Sequence, residues 1–282
     1  MMAPKAVWKF AWDAGKVALR VLPRLTRSYV PVDSNVNLSV LYWKAIGGDE
    51  TARKMLPGRL SRVLTARGVR MLYPRLHHQN VKIRSKYIDT RIKEIVEEMA
   101  EDVLLKILIV GSGFDSRGVK LIEEYSDRDI EVYEFDLPKV IEEKRIVLNQ
   151  SKLDKGVVGG LRLGGVDLNE IDEARGILLE VIRGGRRKQQ QQQQQRVVIV
   201  LEAVIIYVDD PTAVLNLLAE VLRESGSGGT LVFADRLPKE QVSYANEGEA
   251  GTFLGDLGYE LMDFLPKPGL ASSMGVAKIK SE

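Results

Sequence analysis

Short apolar or alternating segments are followed along the chain by longer stretches in which apolar residues recur at helical spacing. The short segments predict strands at 107–110, 130–136, 161–166, 197–201, 230–234, 259–264 and 275–279. The helical spacing predicts helices at 83–99, 119–125, 138–148, 171–182 and 211–224. Strands that alternate with helices in this way are typical of βαβ units. The sequence therefore predicts an α/β fold with a doubly wound, mostly parallel seven-stranded sheet.

Two regions depart from this alternation. Residues 1–80 carry helical and irregular patterns without strand signals, which predicts an N-terminal helical extension or cap on a main domain at 81–282. Within the main domain, residues 184–196 combine glycine, basic residues and a run of glutamines, and this low complexity predicts a disordered surface loop. A helix is predicted before the loop and a strand after it. Such an insertion is tolerated because loop-closure entropy grows slowly with length.

Composition narrows the classes of function. The 282 residues are 45% hydrophobic, and 41 basic residues nearly balance 39 acidic ones. This balance does not favour a nucleic-acid-binding protein. The chain has no cysteine and only two histidines, which excludes a cysteine nucleophile and argues against a metal site. Apolar runs of about eighteen residues, as a membrane-spanning helix needs, are absent, and a cytoplasmic location is expected.

The N-terminal segment leaves alternatives open. Residues 1–29 carry six basic residues against the single acid Asp13, with apolar residues at helical spacing. A helix packed on its own domain accounts for this pattern. An amphipathic helix on a membrane surface, or an organelle-targeting presequence, is the alternative.

Candidate chemistry lies where the predicted strands end, because ligands bind at the carboxyl ends of strands in a doubly wound sheet. The first predicted strand ends in Gly111-Ser112-Gly113, whose glycines allow a tight turn close to a ligand. The dinucleotide fingerprint G-x-G-x-x-G is incomplete, since Ser116 replaces the third glycine. The charge of Asp115 would also repel a diphosphate. This pattern favours a cofactor without phosphate groups.

Acidic residues end the next three predicted strands. Asp136 can accept hydrogen bonds from ribose hydroxyls, or it can cap the following helix. Asp167 can accept from an adenine amino group, or it can be a cap as well. Glu202 follows a wholly apolar strand and therefore needs a cation or donors. The amino group of an amino-acid cofactor or an internal ion pair would meet that need.

These segments resemble the leucine carboxyl methyltransferase family over about residues 80–240. The similarity lies in five segments of matching order and spacing: 109–117 (IVGSGFDSR), 134–138 (EFDLP), 166–168 (VDL), 201–207 (LEAVIIY) and 235–236 (DR). The resemblance implies a Rossmann-like methyltransferase domain with S-adenosylmethionine as its cofactor. It also implies a role for each matching residue: Arg84 at the cofactor's carboxylate, Gly111 and Gly113 along its methionine part, Asp136 at the ribose, Asp167 and Leu168 at the adenine, Glu202 at the amino group, and Tyr207 facing the substrate as the catalytic candidate.

The chain also departs from relatives that methylate the C-terminal leucine of a type 2A protein phosphatase. The family's basic residue upstream of a G-Y-W-like segment falls near Ser34 here, and the insert between Arg236 and Gly258 is short. The predicted function is O-methylation of a carboxylate, on a small acid or a protein C-terminus, by in-line displacement. We expect no metal and no nucleic acid as partners. The alternatives are a non-catalytic interaction protein with this fold and a nicotinamide-dependent oxidoreductase.

Overall fold

A computed structural model describes residues 35–56, 75–184, 194–225, 229–238, 246–266 and 272–280. The basic segment 1–29 and most of the glutamine-rich segment lie outside these described residues. Within them, no helix is long and apolar enough to cross a membrane.

The described strands form one sheet in the order β3-β2-β1-β4-β5-β7-β6. The strands are β1 (Leu104–Val110), β2 (Ile130–Asp136), β3 (Arg162–Gly165), β4 (Gln195–Glu202), β5 (Thr230–Asp235), β6 (Tyr259–Leu265) and β7 (Ser273–Ile279). Neighbours among β1 to β5 pair in parallel, and β7 is antiparallel to both β5 and β6. The predicted fold class, a doubly wound and mostly parallel seven-stranded sheet, is confirmed.

The central strands are buried on both faces, which explains their unbroken apolar sequences. In β1, Leu108 and Val110 belong to the core on one face of the sheet, whereas Ile107 and Ile109 belong to the core on the other. The strand β4 begins at Gln195, inside the predicted loop. The Gln195 side chain is buried, so the last two residues of the predicted loop belong to the sheet.

Helices cover both faces of the sheet, and three of them precede β1 in the chain. They are α1 (Asn35–Ile46), α2 (Glu50–Met55), α3 (Arg75–Glu97), α4 (Arg117–Glu124), α5 (Pro138–Gln150), α6 (Lys155–Gly160), α7 (Ile171–Arg183), α8 (Pro211–Arg223) and α9 (Glu247–Asp256). The helix α3 spans the predicted division of the chain between residues 80 and 81. The short α6 was not predicted; its N-cap Asp154 accepts from the backbone amides of Gly156 and Val157.

A buried lysine joins the centre of the sheet to the end of α7. The fully buried Lys106 of β1 donates from Nζ to the carbonyl oxygens of Val181, Ile182 and Gly184 at 2.9, 2.9 and 2.5 Å. The last carbonyl groups of a helix lack partners within the helix, and a cation there interacts favourably with the helix dipole. Lys106 thereby holds the end of α7 against the sheet, next to the glutamine-rich segment.

Candidate cofactor site

The turn after β1 requires both of its glycines. Gly111 and Gly113 have φ of +66° and +46°, values that residues with a Cβ rarely adopt. A Cβ on Gly111 would lie 2.2 Å from Cγ2 of Val204, and one on Gly113 would lie 2.6 Å from Oδ1 of Asn37. The turn is therefore packed directly against the loop after β4 and against α1.

Gly111→Ala is expected to lower the free energy of unfolding by roughly 2 kcal/mol, because it combines an unfavourable φ with overpacking against Val204. Urea unfolding would measure the change. Gly176→Ala is the matched control, since a Cβ at that position in α7 meets nothing within 4 Å; this variant should be slightly more stable than the parent chain. Equal stability of the two variants would contradict the packing described here.

A cavity of about 310 Å³ lies beside the glycine turn, at the carboxyl ends of the parallel strands. This volume is within the range of small-molecule sites. Five of the predicted site residues line it: Gly111, Asp136, Asp167, Leu168 and Tyr207. Much of the remaining wall is apolar, with contributions from Phe135, Val166 and Val204. The fold therefore brings the predicted adenosine residues together around one cavity.

Asp136 is fixed by two backbone amides. Its Oδ2 accepts from the amide of Gly113 at 2.7 Å, and its Oδ1 accepts from the amide of Leu137 at 2.8 Å. Burial raises the pKa of Asp136, although both amides oppose the shift. The N-cap of α5 is Leu137, so the alternative assignment of Asp136 as the helix cap is wrong. Each carboxylate oxygen retains the capacity to accept a further hydrogen bond from a ligand.

Asp167 is likewise not a helix cap. The N-cap of α7 is Glu170, while Oδ1 of Asp167 accepts from the amide of Asn169 at 3.0 Å. The neighbouring Leu168 is buried and lines the same cavity. Together they offer a carboxylate and an apolar surface on one wall.

Asp235 fixes the segment after β4 that forms another part of the cavity lining. The chain turns after β4 at Ala203, a non-glycine residue with φ of +57°. The amides of the next two residues, Val204 and Ile205, donate to Oδ2 of Asp235 at 2.5 and 3.0 Å. This carboxylate therefore fixes the turn that leads to Tyr207, whose side chain is 67% exposed and lines the cavity.

The burial of Asp235 predicts a dependence of stability on pH. Burial raises its pKa from 3.8 to about 6, although the backbone amides, including that of Arg236, oppose the shift. The folded protein therefore holds this proton more tightly than the unfolded chain does. Its contribution to stability is complete below pH 3.8 and falls as the pH rises to about 6, by about 3 kcal/mol.

The Asp235→Asn variant isolates this contribution, because asparagine resembles the protonated carboxyl. Between pH 4 and pH 7, the unfolding free energy of the parent chain should fall relative to that of the variant by roughly 2 kcal/mol. Chemical unfolding at a series of pH values would measure the difference. Parallel curves for the two proteins would rule out titration of Asp235 in this range.

Glu202 lies in an ion-pair cluster rather than on the wall of the 310 Å³ cavity. Its Oε2 is 2.8 Å from Nη2 of Arg117, and its Oε1 is 3.4 Å from Nε of Arg84. Burial alone would raise the pKa of Glu202, but Lys44, Arg117 and Arg84 together hold it below its ordinary value. The internal ion pair, one of the two alternatives for Glu202, is present. Arg84, the predicted partner of the cofactor's carboxylate, belongs to the same ion-pair cluster through its contact with Glu202.

Asp115 belongs to the same cluster. Its Oδ1 is 2.5 Å from Nζ of Lys44, and its Oδ2 accepts from Arg117. The prediction that Asp115 would repel a diphosphate is therefore wrong, because the buried cations Lys44 and Arg117 neutralise its charge. The preference for a cofactor without phosphates must rest on the incomplete glycine fingerprint.

A larger cavity of about 540 Å³ lies on the outer side of the cluster, between α1, α2 and α3. Its lining includes Lys44, Asp89 and Arg117. None of the predicted site residues is among its lining residues. Among the described residues, this cavity and the 310 Å³ cavity share no lining residue.

Three side chains of this region were not predicted as site residues: Asn37, Lys44 and Arg117. Arg117 stands in the quoted segment 109–117, and its position two residues after Asp115 was a signal for an ion pair. Asn37 and Lys44 come from α1, whose placement on the strand ends no local pattern predicts.

The family comparison decides the identification. The sequence model of the leucine carboxyl methyltransferase family matches residues 49–222, which is more than half of the chain. The chain belongs to the leucine carboxyl methyltransferase family. This membership confirms the predicted family and, with it, S-adenosylmethionine as the cofactor.

Solved structures of methyltransferases and related proteins are similar at low identity. Magnesium protoporphyrin IX methyltransferase (ChlM) from Synechocystis PCC 6803 with bound SAM is 17% identical, with 72% of this chain and 83% of that chain covered and a TM-score of 0.46. The mitomycin 7-O-methyltransferase MmcR is 14% identical, with 99% and 69% covered and a TM-score of 0.42. LepI in complex with SAM is 13% identical, with 67% and 46% covered and a TM-score of 0.42.

The chain therefore spans less than half the length of LepI. Because these TM-scores are below 0.5, the fold assignment rests on the strand order described above and on the family. The curated proteins include no significant match to this chain.

Within the described residues, no group of three or more histidine, aspartate or glutamate side chains could hold a metal ion.

Proposed function

We propose that this member of the family transfers a methyl group from S-adenosylmethionine to a carboxylate, on a small acid or on a protein C-terminus. The observation that carries the proposal is the 310 Å³ cavity at the strand ends, with Asp136 and Asp167 on its wall. Beyond the glycine turn, the ion-pair cluster contains the negatively charged Glu202 and the positively charged Arg84 and Arg117.

The residues present suit the parts of this cofactor. Asp136 has acceptor capacity left for ribose hydroxyls, and Asp167 beside the apolar Leu168 suits an adenine ring with its amino group. Glu202 and Arg84 are complementary in charge to the amino group and the carboxylate of the methionine part. When bound, S-adenosylmethionine supplies a methyl group activated by its sulfonium.

A carboxylate acceptor would need no general base, and no histidine or lysine is among the described residues that line the cavity. Among the described residues that line it, the ionisable side chains are Asp136, Asp167 and Tyr207. A carboxylate is already ionised at pH 7 and needs no general base. The chain's contribution is then to orient the acceptor oxygen and to exclude water around it. The exposed Tyr207 can donate a hydrogen bond that orients the acceptor.

Transfer of tritiated methyl from S-adenosylmethionine to defined acceptors tests the proposal. The acceptors are a peptide with a free C-terminal carboxylate, the same peptide with an amidated C-terminus, and a panel of small carboxylic acids. A methyl ester releases volatile methanol in alkali, whereas a methyl ether or a methylamine does not. We expect alkali-labile label on a carboxylate and none on the amidated peptide. Label stable to alkali would overturn the carboxyl assignment.

The same assay addresses the alternative of a non-catalytic interaction protein. Binding of the cofactor without transfer to any acceptor would favour that alternative. We also propose a cytoplasmic location, which localisation of the tagged full-length chain would test. Contact of residues 1–29 with a membrane surface is a separate proposal, which sedimentation with anionic vesicles would test.

A further inference from the structure

We propose that Arg117 is a positioning residue that fixes the Glu202 carboxylate at the amino-acid end of the cofactor site. This inference rests on the proposed function, because it assigns to Glu202 the amino group of S-adenosylmethionine. It adds a residue, Arg117, that neither the sequence motifs nor the family resemblance provided with a role.

The geometry of Arg117 is that of a side chain held from three directions. Its Nε donates to Oδ1 of Asp89 at 2.8 Å, its Nη1 donates to Asp115, and its Nη2 donates to Oε2 of Glu202 at 2.8 Å. Its side chain is only 3% exposed. The fork of the guanidinium is thereby oriented by two acids while a third, Glu202, is oriented by it.

Glu202 depends on this contact because its side chain, at the end of β4, is only 11% exposed. A buried carboxylate without a partner tends to take up a proton, and it then no longer attracts an amino group. Arg84 and Lys44 are farther from Glu202, at 3.4 and 4.0 Å. Arg117 makes the shortest of these three ion pairs, and its Nη2 donates a hydrogen bond to the carboxylate.

The cluster also joins α1 to this end of the site. Lys44 pairs with Asp115 at 2.5 Å, and Asp115 contacts Arg117. Lys120 pairs with Asp89 at 3.0 Å on the outer side. The orientation of Arg117 is thus set by α1 and α3 together, and the N-terminal helices contribute to the site through it.

Two ligands separate a positioning role from a merely structural one. S-adenosylhomocysteine carries the amino and carboxylate groups, whereas 5′-methylthioadenosine has the same adenosine but lacks both. Calorimetric titration of the full-length chain with each ligand would be done on the parent, Arg117→Gln and Arg117→Lys. Arg175→Gln is the control, because Arg175 forms comparable ion pairs with Asp172 and Glu220 on the surface.

The expected result is selective. Arg117→Gln should weaken the binding of S-adenosylhomocysteine roughly tenfold or more, since it removes a hydrogen bond between charged groups. The affinity for 5′-methylthioadenosine should change less than about twofold. Arg117→Lys should recover part of the loss because it keeps the charge. Arg175→Gln should change neither ligand. Failure of the parent chain to bind S-adenosylhomocysteine would instead count against the proposed function itself.

Three results would overturn the inference. The first is an equal loss of affinity for both ligands in Arg117→Gln, and the second is unchanged affinity for both. The third is a gain of affinity for S-adenosylhomocysteine, which would show that Arg117 competes with the ligand for Glu202. If Arg117→Gln does not fold, Arg117→Lys and Asp89→Asn are compared instead, because the second removes an acid that orients Arg117. An unaltered ratio of the two affinities in both variants would equally reject the positioning role.

Discussion

Replacing Asp136 by alanine is expected to weaken the binding of S-adenosylhomocysteine by roughly tenfold or more, because the change removes hydrogen bonds to a charged acceptor. The carboxylate lines the cavity and also holds the amide of Gly113 at 2.7 Å. The variant therefore loses both a ligand contact and a support of the glycine turn. Calorimetric titration measures the affinity directly.

Asp136→Asn and Glu260→Ala complete this experiment. Asparagine keeps one acceptor oxygen, so its affinity should lie between those of the parent chain and of the alanine variant. Glu260 is exposed on β6, at the edge of the sheet, and its replacement should have no effect. Unchanged affinity in Asp136→Ala would contradict the assignment of Asp136 to the ribose.

Lys144→Met is expected to lower the free energy of unfolding by roughly 3–5 kcal/mol, since it leaves the buried charge of Glu134 without its partner. Nζ of Lys144 lies 2.5 Å from Oε2 of Glu134, and neither side chain has any exposure. Burial raises the pKa of Glu134, and Lys144 is the main opposing influence. Urea unfolding at pH 7 measures the loss.

The double variant Glu134→Gln/Lys144→Met shows whether the cost comes from the unpaired charge. Glutamine keeps the size of the Glu134 side chain but carries no charge. The double variant should therefore recover most of the stability lost in Lys144→Met. A loss below about 1 kcal/mol in the single variant would contradict the buried pair.

The sheet and its strand ends were predictable because their signals are local. Buried parallel strands are apolar throughout, and the turn after β1 needs residues that tolerate positive φ. Asp136 is the last residue of β2, and Asp167 lies two residues after the end of β3. The start of β4 was misplaced because Gln195 is polar in sequence, although its side chain is buried in the structure.

The ion-pair cluster was not predictable because its contacts are distant in the chain. Lys44 and Asp115 are 71 residues apart, and Arg117 and Glu202 are 85 residues apart. The periodicity of apolar residues along the sequence does not show which buried cation pairs with which acid. The sequence could show that Glu202 needs a partner but not that Arg117 and Arg84 would both be near it. Similarly, the packing of Asn37 against Gly113 depends on the placement of α1.

Calorimetric titration of the purified chain with S-adenosylhomocysteine, and with NAD as a control, tests the central claim that the cavity at the strand ends binds the adenosine of S-adenosylmethionine. We expect S-adenosylhomocysteine to bind with a dissociation constant on the order of micromolar, about −8 kcal/mol, and NAD not to bind. Absence of S-adenosylhomocysteine binding by the folded chain, or preference for NAD, would contradict it.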